Sequence, residues 1–186
     1  METEELRTQL AGAHASSFGW ALGCCRRDVA EAEEVLQIVY LKVLEGKARF
    51  DGTASFKTWL FAVIRKTASD QRRKRLLRSL IMMRATERSV SETRSERPDE
   101  LAYRAEIRSV FQRALALLPR RQREALELVF YHGLRLQEAA AVMGVSLGSV
   151  RTHYERGKKQ LRQLLEESEE FYEFELGRKE NPATVR

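Results

Sequence analysis

Apolar residues recur at every third or fourth position along most of the chain, a spacing that predicts amphipathic α-helices. The first such pattern covers residues 6–24, and a second covers about residues 28–45. A connector with two glycines follows at residues 46–54, and Ser55 is a predicted N-cap for a third helix. Three helices within about 80 residues indicate one small helical domain.

The periodicity is lost at residues 80–99, where the chain becomes polar and rich in serine. Such a segment is typical of a flexible linker. Helical patterns resume beyond it, with Pro119 predicted as the first residue of a helix that runs to residue 131 and breaks at residues 132–134. The predicted fold is therefore all-α, with two small helical domains joined by a flexible linker. The first domain is predicted at residues 1–79, the linker at 80–99, the second domain at 100–168 and an acidic tail at 169–186.

Composition narrows the classes of protein that fit this pattern. With 43% hydrophobic residues, ten glycines and three prolines in 186 residues, the sequence excludes a collagen-like, an all-β or a wholly disordered chain. It contains no apolar run of about 18 residues, and its acidic N-terminus is no secretory signal, so a cytoplasmic location is expected. Cys24 and Cys25 are predicted as buried helix residues, because adjacent cysteines rarely bridge each other. His14, His132 and His153 have no metal-ligand spacing, so neither metal, cofactor nor catalytic site is expected.

The net charge of +6 is unevenly distributed. Residues 57–84 contain nine Lys/Arg and a single acid, Asp70, while residues 145–163 contain five Lys/Arg and only Glu155 as an acid. Two basic segments favour two contacts with a polyanion such as nucleic acid. The alternative is a pair of solvated helix faces.

Residues 136–153 have the pattern of a helix-turn-helix. Gly144 permits the positive φ of the turn, Ser146 is placed to cap the second helix, and Val150 fills the space between the helices. The outer face of that second helix would enter the major groove and meet base edges and backbone. Its candidate residues are Ser149, Arg151, Thr152, Glu155 and Arg156, with Lys158 and Lys159 farther along as phosphate contacts. Glu155 either accepts a hydrogen bond from a cytosine or pairs with Lys158 or Lys159.

Aromatic residues of the first domain have two interpretations. Phe56 and Trp59 are predicted as core, whereas Phe50 and Phe61 are either core or exposed platforms for stacking on melted nucleic acid.

Together these motifs resemble the bacterial RNA polymerase sigma factors of the sigma-70 family, extracytoplasmic-function (ECF) group. Residues 31–43 resemble the helix that docks on the polymerase, residues 56–73 the segment that engages the −10 promoter element, and residues 118–124 with 148–152 the domain that reads the −35 element. The resemblance implies polymerase contacts through Glu34, Gln37, Tyr40 and Leu41. It implies −10 contacts through Phe50, Phe61, Arg65, Lys66, Arg72 and Arg73.

The implied function is promoter-specific initiation of transcription, with assisted strand opening, by a subunit that is not itself an enzyme. Its implied partners are core RNA polymerase (the β′ clamp helices and the β flap), promoter DNA and an anti-sigma factor, possibly membrane-anchored. The alternative is a helix-turn-helix regulator that acts without core polymerase. The acidic tail is either a solvated helix extension or a partner-binding or self-inhibitory segment.

Overall fold

The computed structural model describes residues 3–82 and 101–167, and every regular element in these two ranges is helical. The first domain comprises α1 (Thr3–Cys24), α2 (Val29–Leu44) and α3 (Phe56–Met82). The second comprises α4 (Leu101–Leu117), α5 (Arg120–Leu126), a π-helical turn (Glu127–Tyr131), α6 (Leu136–Met143) and α7 (Leu147–Glu166). The all-α prediction is confirmed. Helix α3 runs into the predicted linker as far as Met82; the rest of that linker and the acidic tail lie outside the described residues.

The helices of the first domain begin where polar side chains accept hydrogen bonds from free backbone amides. Asp28 Oδ1 accepts from the amide of Glu31 at 2.8 Å, and Ser55 Oγ accepts from the amide of Thr58 at 3.1 Å. Each bond satisfies one of the amides that a helix start leaves unpaired. Ser55 is therefore the cap that the sequence predicts.

The start of α5 differs from the prediction. Pro119 has φ −53° and ψ 138°, so it is the N-cap residue and the helix begins one residue later, at Arg120. The proline carbonyl accepts from the amide of Gln122 at 2.9 Å and from that of Arg123 at 3.1 Å. Proline fits this position because its fixed φ suits the extended cap as well as the first helical turn.

Helix α5 widens into the π-helical turn before it ends. The amide of His132 donates to the carbonyl of Glu127 at 3.1 Å, which is a bond over five residues, and Gly133 follows with φ +66°. π-turns are rare and are frequently found at functional sites. Glu127 and His132, at the two ends of this turn, contact the first domain.

The two domains share one hydrophobic core. A continuous cluster of buried side chains includes Trp20 and Phe61 from the first domain and Leu128, Ala139 and Met143 from the second. The contacts run from α3 to α6 and from α1 to the π-turn. A smaller cluster, containing Leu115, Leu126 and Leu161 among others, lies within the second domain. The sequence suggests two tethered bodies; the structure packs them together because each small domain leaves apolar surface for the other to cover.

Candidate nucleic-acid interface

The helix-turn-helix has the geometry that its sequence predicts. Gly144 adopts φ +62° and ψ +43°, the left-handed conformation that ends α6. Ser146 Oγ accepts from the amide of Ser149 at 3.2 Å and caps α7. Val150 is fully buried between the helices, and Arg121 Nη1 donates to the carbonyl of Met143 at 3.1 Å, which fastens the turn to α5. The N-terminus of α7 is thus held with its partial positive charge at the protein surface.

Five of the predicted DNA-contacting residues lie exposed on the outer face of α7; they are Arg151, Thr152, Glu155, Arg156 and Lys159. Ser149 is only partly accessible, and its hydroxyl lies 2.9 Å from that of Ser146, so it belongs to the cap. The hydroxyl of Thr152 donates to the carbonyl of Gly148 at 3.0 Å. Among these predicted contacts, the two arginines and Lys159 are therefore the longest polar side chains presented to a ligand.

Glu155 is engaged within the helix. Its Oε2 lies 3.0 Å from Lys158 Nζ, and that ammonium also lies 4.8 Å from the centre of the Tyr154 ring. Of the two interpretations of Glu155, the structure shows the ion pair. Both side chains remain about half exposed, so the pair is weak and separable by a phosphate or a base.

The basic surface of the first domain lies on α3. Lys66 and Arg73 are exposed and, at a spacing of seven residues, share one face of the helix. Arg72 is half-buried beneath them, and burial, followed by the nearby guanidinium groups of Arg120 and Arg26, lowers its pKa. The structure therefore presents Lys66 and Arg73 to a polyanion more openly than Arg72.

Phe61 and Arg65, which the sequence predicts as −10 contacts, are covered by the second domain in this structure. Phe61 is fully buried, and its ring stacks on Trp20 with the centroids 5.8 Å apart. Of the two interpretations of Phe61, the structure shows a core residue. In this arrangement its ring is not accessible for stacking on a base. Arg65 donates from Nε and Nη2 to Glu124 Oε2 at 3.2 and 3.1 Å, and is 15% exposed. Both residues face the second domain, a placement that helical spacing alone does not reveal.

Phe50 belongs to a cluster of three aromatic rings. It lies 5.5 Å from Phe56 and 5.4 Å from Trp59, measured between ring centroids. All three are half-buried, and Phe56 and Trp59 pack against the core as predicted. Residues 51–53, between Phe50 and Phe56, are exposed, and Asp51 accepts from the amide and hydroxyl of Thr53 at 3.0 and 2.8 Å, which lowers the pKa of Asp51. Phe50 is thus the predicted aromatic residue with surface left for a base.

The four predicted polymerase contacts on α2 differ in exposure and in the groups they bind. Gln37 and Leu41 are exposed, the latter by 57%, and Tyr40 is half-buried with its hydroxyl 3.0 Å from His14 Nδ1. Glu34 instead holds α3, because its two carboxylate oxygens accept from Gln71 at 3.0 Å and from Arg75 at 2.6 Å. This face of α2 therefore exposes Gln37 and Leu41, while Glu34 is engaged with α3.

Sequence reasoning missed the residues that join the domains. Glu124 and Glu127 are buried charges, and Lys57 Nζ donates to the carbonyl of His132 at 2.7 Å. Burial, followed by Lys57 and Arg27, lowers the pKa of His132 from 6.5 to about 4. The sequence contains one signal of this contact. Gly19 and Gly23 lie one turn apart in a helical pattern, where glycine costs stability and therefore indicates close packing.

The two cysteines are consistent with their predicted structural role. Cys25 is buried and Cys24 half-buried, and both are free thiols. Burial raises the pKa of Cys25 to about 12 and that of Cys24 well above its usual value. Among the described residues, no helix is both long and apolar enough to cross a bilayer, and no cluster of His, Cys, Asp or Glu is suited to a metal.

Comparison with known proteins points to one family. Residues 15–77 match the family model for sigma-70 region 2, and residues 108–161 match that for sigma-70 region 4. The ECF RNA polymerase sigma factor SigX of Bacillus subtilis is 33% identical over 143 residues, which cover 75% of this chain and 73% of SigX. EcfG of Rhodopseudomonas palustris, another ECF sigma factor, is 28% identical over 163 residues, covering 88% and 86% of the two chains.

A solved structure shows the same fold. The sigma factor RpoE of Bartonella quintana, in complex with the anti-sigma factor NepR, superposes with a TM-score of 0.69 at 23% identity, covering 89% of this chain and 99% of that one.

The fold and the outer face of α7 define a two-domain helical protein with a helix-turn-helix. The order of the matched regions and the likeness to SigX then place it: the chain belongs to the ECF group of sigma-70 RNA polymerase sigma factors. Its function is to bind core RNA polymerase and direct initiation at specific promoters. A regulator acting without polymerase is not favoured, because region 2 is present together with region 4.

Proposed function

We propose that this sigma factor divides promoter recognition between α7 for the −35 element and the α3 surface for the −10 element. The observation that carries the first part is the capped N-terminus of α7 with Arg151, Arg156 and Lys159 exposed beyond it. A helix in the major groove contacts bases from its N-terminal turns and phosphates from its later ones. Arg151 is accordingly the proposed base-reading residue, and Lys159 the proposed phosphate contact.

For the −10 element, Lys66 and Arg73 provide exposed positive charge along α3. Phe50 lies midway along the connector between α2 and α3, beside two further rings that support it. An aromatic ring next to cations suits an unstacked base and its phosphates. Capture of such a base would assist strand opening, while the polymerase supplies the chemistry; the sigma factor itself is proposed to be non-catalytic.

Two surfaces are proposed for core polymerase. The first is the α2 face with Gln37, Tyr40 and Leu41, for the β′ clamp helices. The second is an apolar groove of about 590 Å³ in the second domain, lined by Phe111, Leu115, Phe130 and Leu161 among others, for the β flap. Phe130 is 62% exposed there, although it is a large apolar residue. Exposed apolar surface beside a groove is typical of a protein interface.

An anti-sigma factor is proposed as a further partner, because the RpoE structure is a complex with one. We place the protein in the cytoplasm, where its polymerase partner acts, and leave membrane anchoring to the proposed anti-sigma factor.

Run-off transcription with purified core polymerase and a library of promoter sequences tests this function directly. The expected result is a set of transcripts that share −35 and −10 sequences and that core polymerase alone does not produce. Arg73→Ala should lower the yield from all promoters, whereas exposed Arg7→Ala on α1 should not. A chain that binds one duplex specifically but never associates with core polymerase would support the stand-alone regulator instead.

A further inference from the structure

A crevice bordered by arginine side chains lies where the end of α1 meets the corner between α4 and α5. Its volume is about 360 Å³. Four guanidinium groups line this arginine crevice; they belong to Arg26 and Arg27 of the first domain and to Arg120 and Arg123 of the second. Sites for small molecules commonly have volumes of about 300 to 1,000 Å³ and often lie between domains. None of these four arginines is among the residues proposed above for DNA or core polymerase.

Two buried carboxylates beside the arginine crevice offset only part of its positive charge. Glu124 accepts from Arg120 Nε at 2.7 Å, but it also accepts from Arg65 at 3.1 and 3.2 Å, so two guanidinium groups share one negative charge. Glu127 Oε1 lies 3.5 Å from Arg27 Nη2. The two carboxylates thus face three guanidinium groups before the other two arginines of the crevice are counted.

Arg26 and Arg123 keep donors for a ligand. Arg26 is exposed and has no hydrogen-bond or ion-pair partner among the described residues. Arg123 Nη1 donates to an uncharged group, the carbonyl of Ala116, at 3.2 Å. The guanidinium groups of Arg120 and Arg26 lie close enough to Arg72 to lower its pKa further, after the larger effect of burial. Crowded like charges are unfavourable, and an anion that several arginines share would relieve them.

The backbone at the end of α1 adopts a conformation that favours glycine. The φ angle is +55° at Arg26 and +67° at Arg27, in the left-handed region that is uncommon for other residues. The amide of Arg27 donates to the carbonyl of Leu22 at 2.8 Å, the bond of a helix ending that usually has glycine at the position of Arg26. Backbone strain of this kind is frequent at ligand-binding sites, so an arginine here indicates a use for its side chain.

We propose that the arginine crevice binds a small molecule with adjacent phosphate groups, held by guanidinium groups from both domains. Arginine suits this ligand because its planar fork donates two parallel hydrogen bonds to phosphate oxygens and keeps its charge at every physiological pH. The remaining lining includes Leu115, Ala116 and Leu118, an apolar wall against which the base of a nucleotide can pack. The phosphate groups come either from a nucleoside diphosphate or from an inorganic polyphosphate.

Titration calorimetry on the full chain, without DNA or polymerase, tests this site apart from promoter recognition. The probes are pyrophosphate, adenosine diphosphate, adenosine and sulfate, all at about 0.15 M salt, where the attraction between distant surface charges is screened. Pyrophosphate should bind once per chain, at least about tenfold more tightly than sulfate, and should raise the melting temperature, because it binds the folded form. Tighter binding of adenosine diphosphate would identify a nucleotide as the source of the phosphates, and equal binding an inorganic polyphosphate.

Arg26→Gly separates binding from folding. It removes a guanidinium group and puts glycine where φ is +55°, so the melting temperature without ligand should not fall. The affinity for pyrophosphate should nevertheless drop about tenfold or more, the effect of losing a charge-assisted hydrogen bond. Arg123→Gln should weaken binding in the same way from the side of the second domain. Arg7→Gln, at an exposed arginine of α1 remote in sequence from the crevice, is the matched control and should bind as the unchanged chain does.

Three results would overturn the proposal. The first is equal, weak binding of sulfate, pyrophosphate and adenosine diphosphate, which would show a non-specific effect of charge. The second is unchanged affinity for pyrophosphate in Arg26→Gly. The third is a chain that binds none of these probes while Arg26→Gly weakens its binding to a duplex of unrelated sequence, since the crevice would then contact DNA phosphates instead. Transcription from promoters would stand in all three cases, because these arginines have no part in the proposed promoter contacts.

Discussion

Acidification should weaken the contact between the domains, because the ring of His132 is buried there without a charge. Burial, followed by Lys57 and Arg27, lowers the pKa of His132 from 6.5 to about 4. An exposed imidazole takes up a proton more readily than this buried one. The stabilisation from a neutral His132 is therefore complete above about pH 6.5 and is lost as the pH falls towards 4.

The size of the effect follows from these two values. With a pKa of 6.5 for His132 in the unfolded chain and about 4 in the folded chain, proton linkage predicts that the free energy of unfolding falls by about 2 kcal/mol from pH 7 to pH 5. Solvent screening around a partly accessible ring reduces this to roughly 1 to 2 kcal/mol. Glu127 acts in the opposite direction, because burial raises its pKa and its carboxyl is protonated more readily in the packed form.

Urea unfolding, followed by tryptophan fluorescence at pH 7, 6 and 5, measures the loss. Between pH 7 and pH 5, the free energy of unfolding should fall more for the unchanged chain than for His132→Gln. Glu127 and the other carboxyls contribute to both proteins, so their contribution cancels when the two losses are subtracted. His14→Gln, at an exposed histidine outside the interface, is the matched control and should keep the full dependence. Equal pH dependence in the unchanged chain and His132→Gln would refute the reasoning.

Three further outcomes are expected. Ser146→Ala should cost about 1 kcal/mol in the free energy of unfolding, because a Ser cap is lost, and should weaken binding to a −35 duplex measured by anisotropy. Arg151→Ala should reduce discrimination among −35 sequences, and equal losses of affinity for every sequence would contradict its role. Lys159→Ala should instead weaken binding to all of them and lower the slope of log affinity against log salt concentration by about 1. A thiol reagent at pH 8 should modify Cys24 and Cys25 only after urea is added, since burial raises both pKa values; rapid reaction of the folded chain would contradict the packing.

The helix-turn-helix and its helix bounds could be read from the sequence because their signals are local. Gly144, Ser146 and the apolar spacing around Val150 each act on neighbouring residues. The cap at Ser55 is equally local. The exposed basic residues Arg151 and Lys159 follow from the same helical period, since that period alone decides which side chains share a face.

The contact between domains depended on residues far apart in the chain. Phe61 lies two residues after Trp59 and therefore on another side of α3, and it is fully buried under a ring contributed by residue 132, while Trp59 stays half-buried. Arg65 is indistinguishable in sequence from an exposed basic residue until Glu124 is brought to it by folding. Helical periodicity fixes which side a residue occupies, but only the packing of distant segments decides what covers that side.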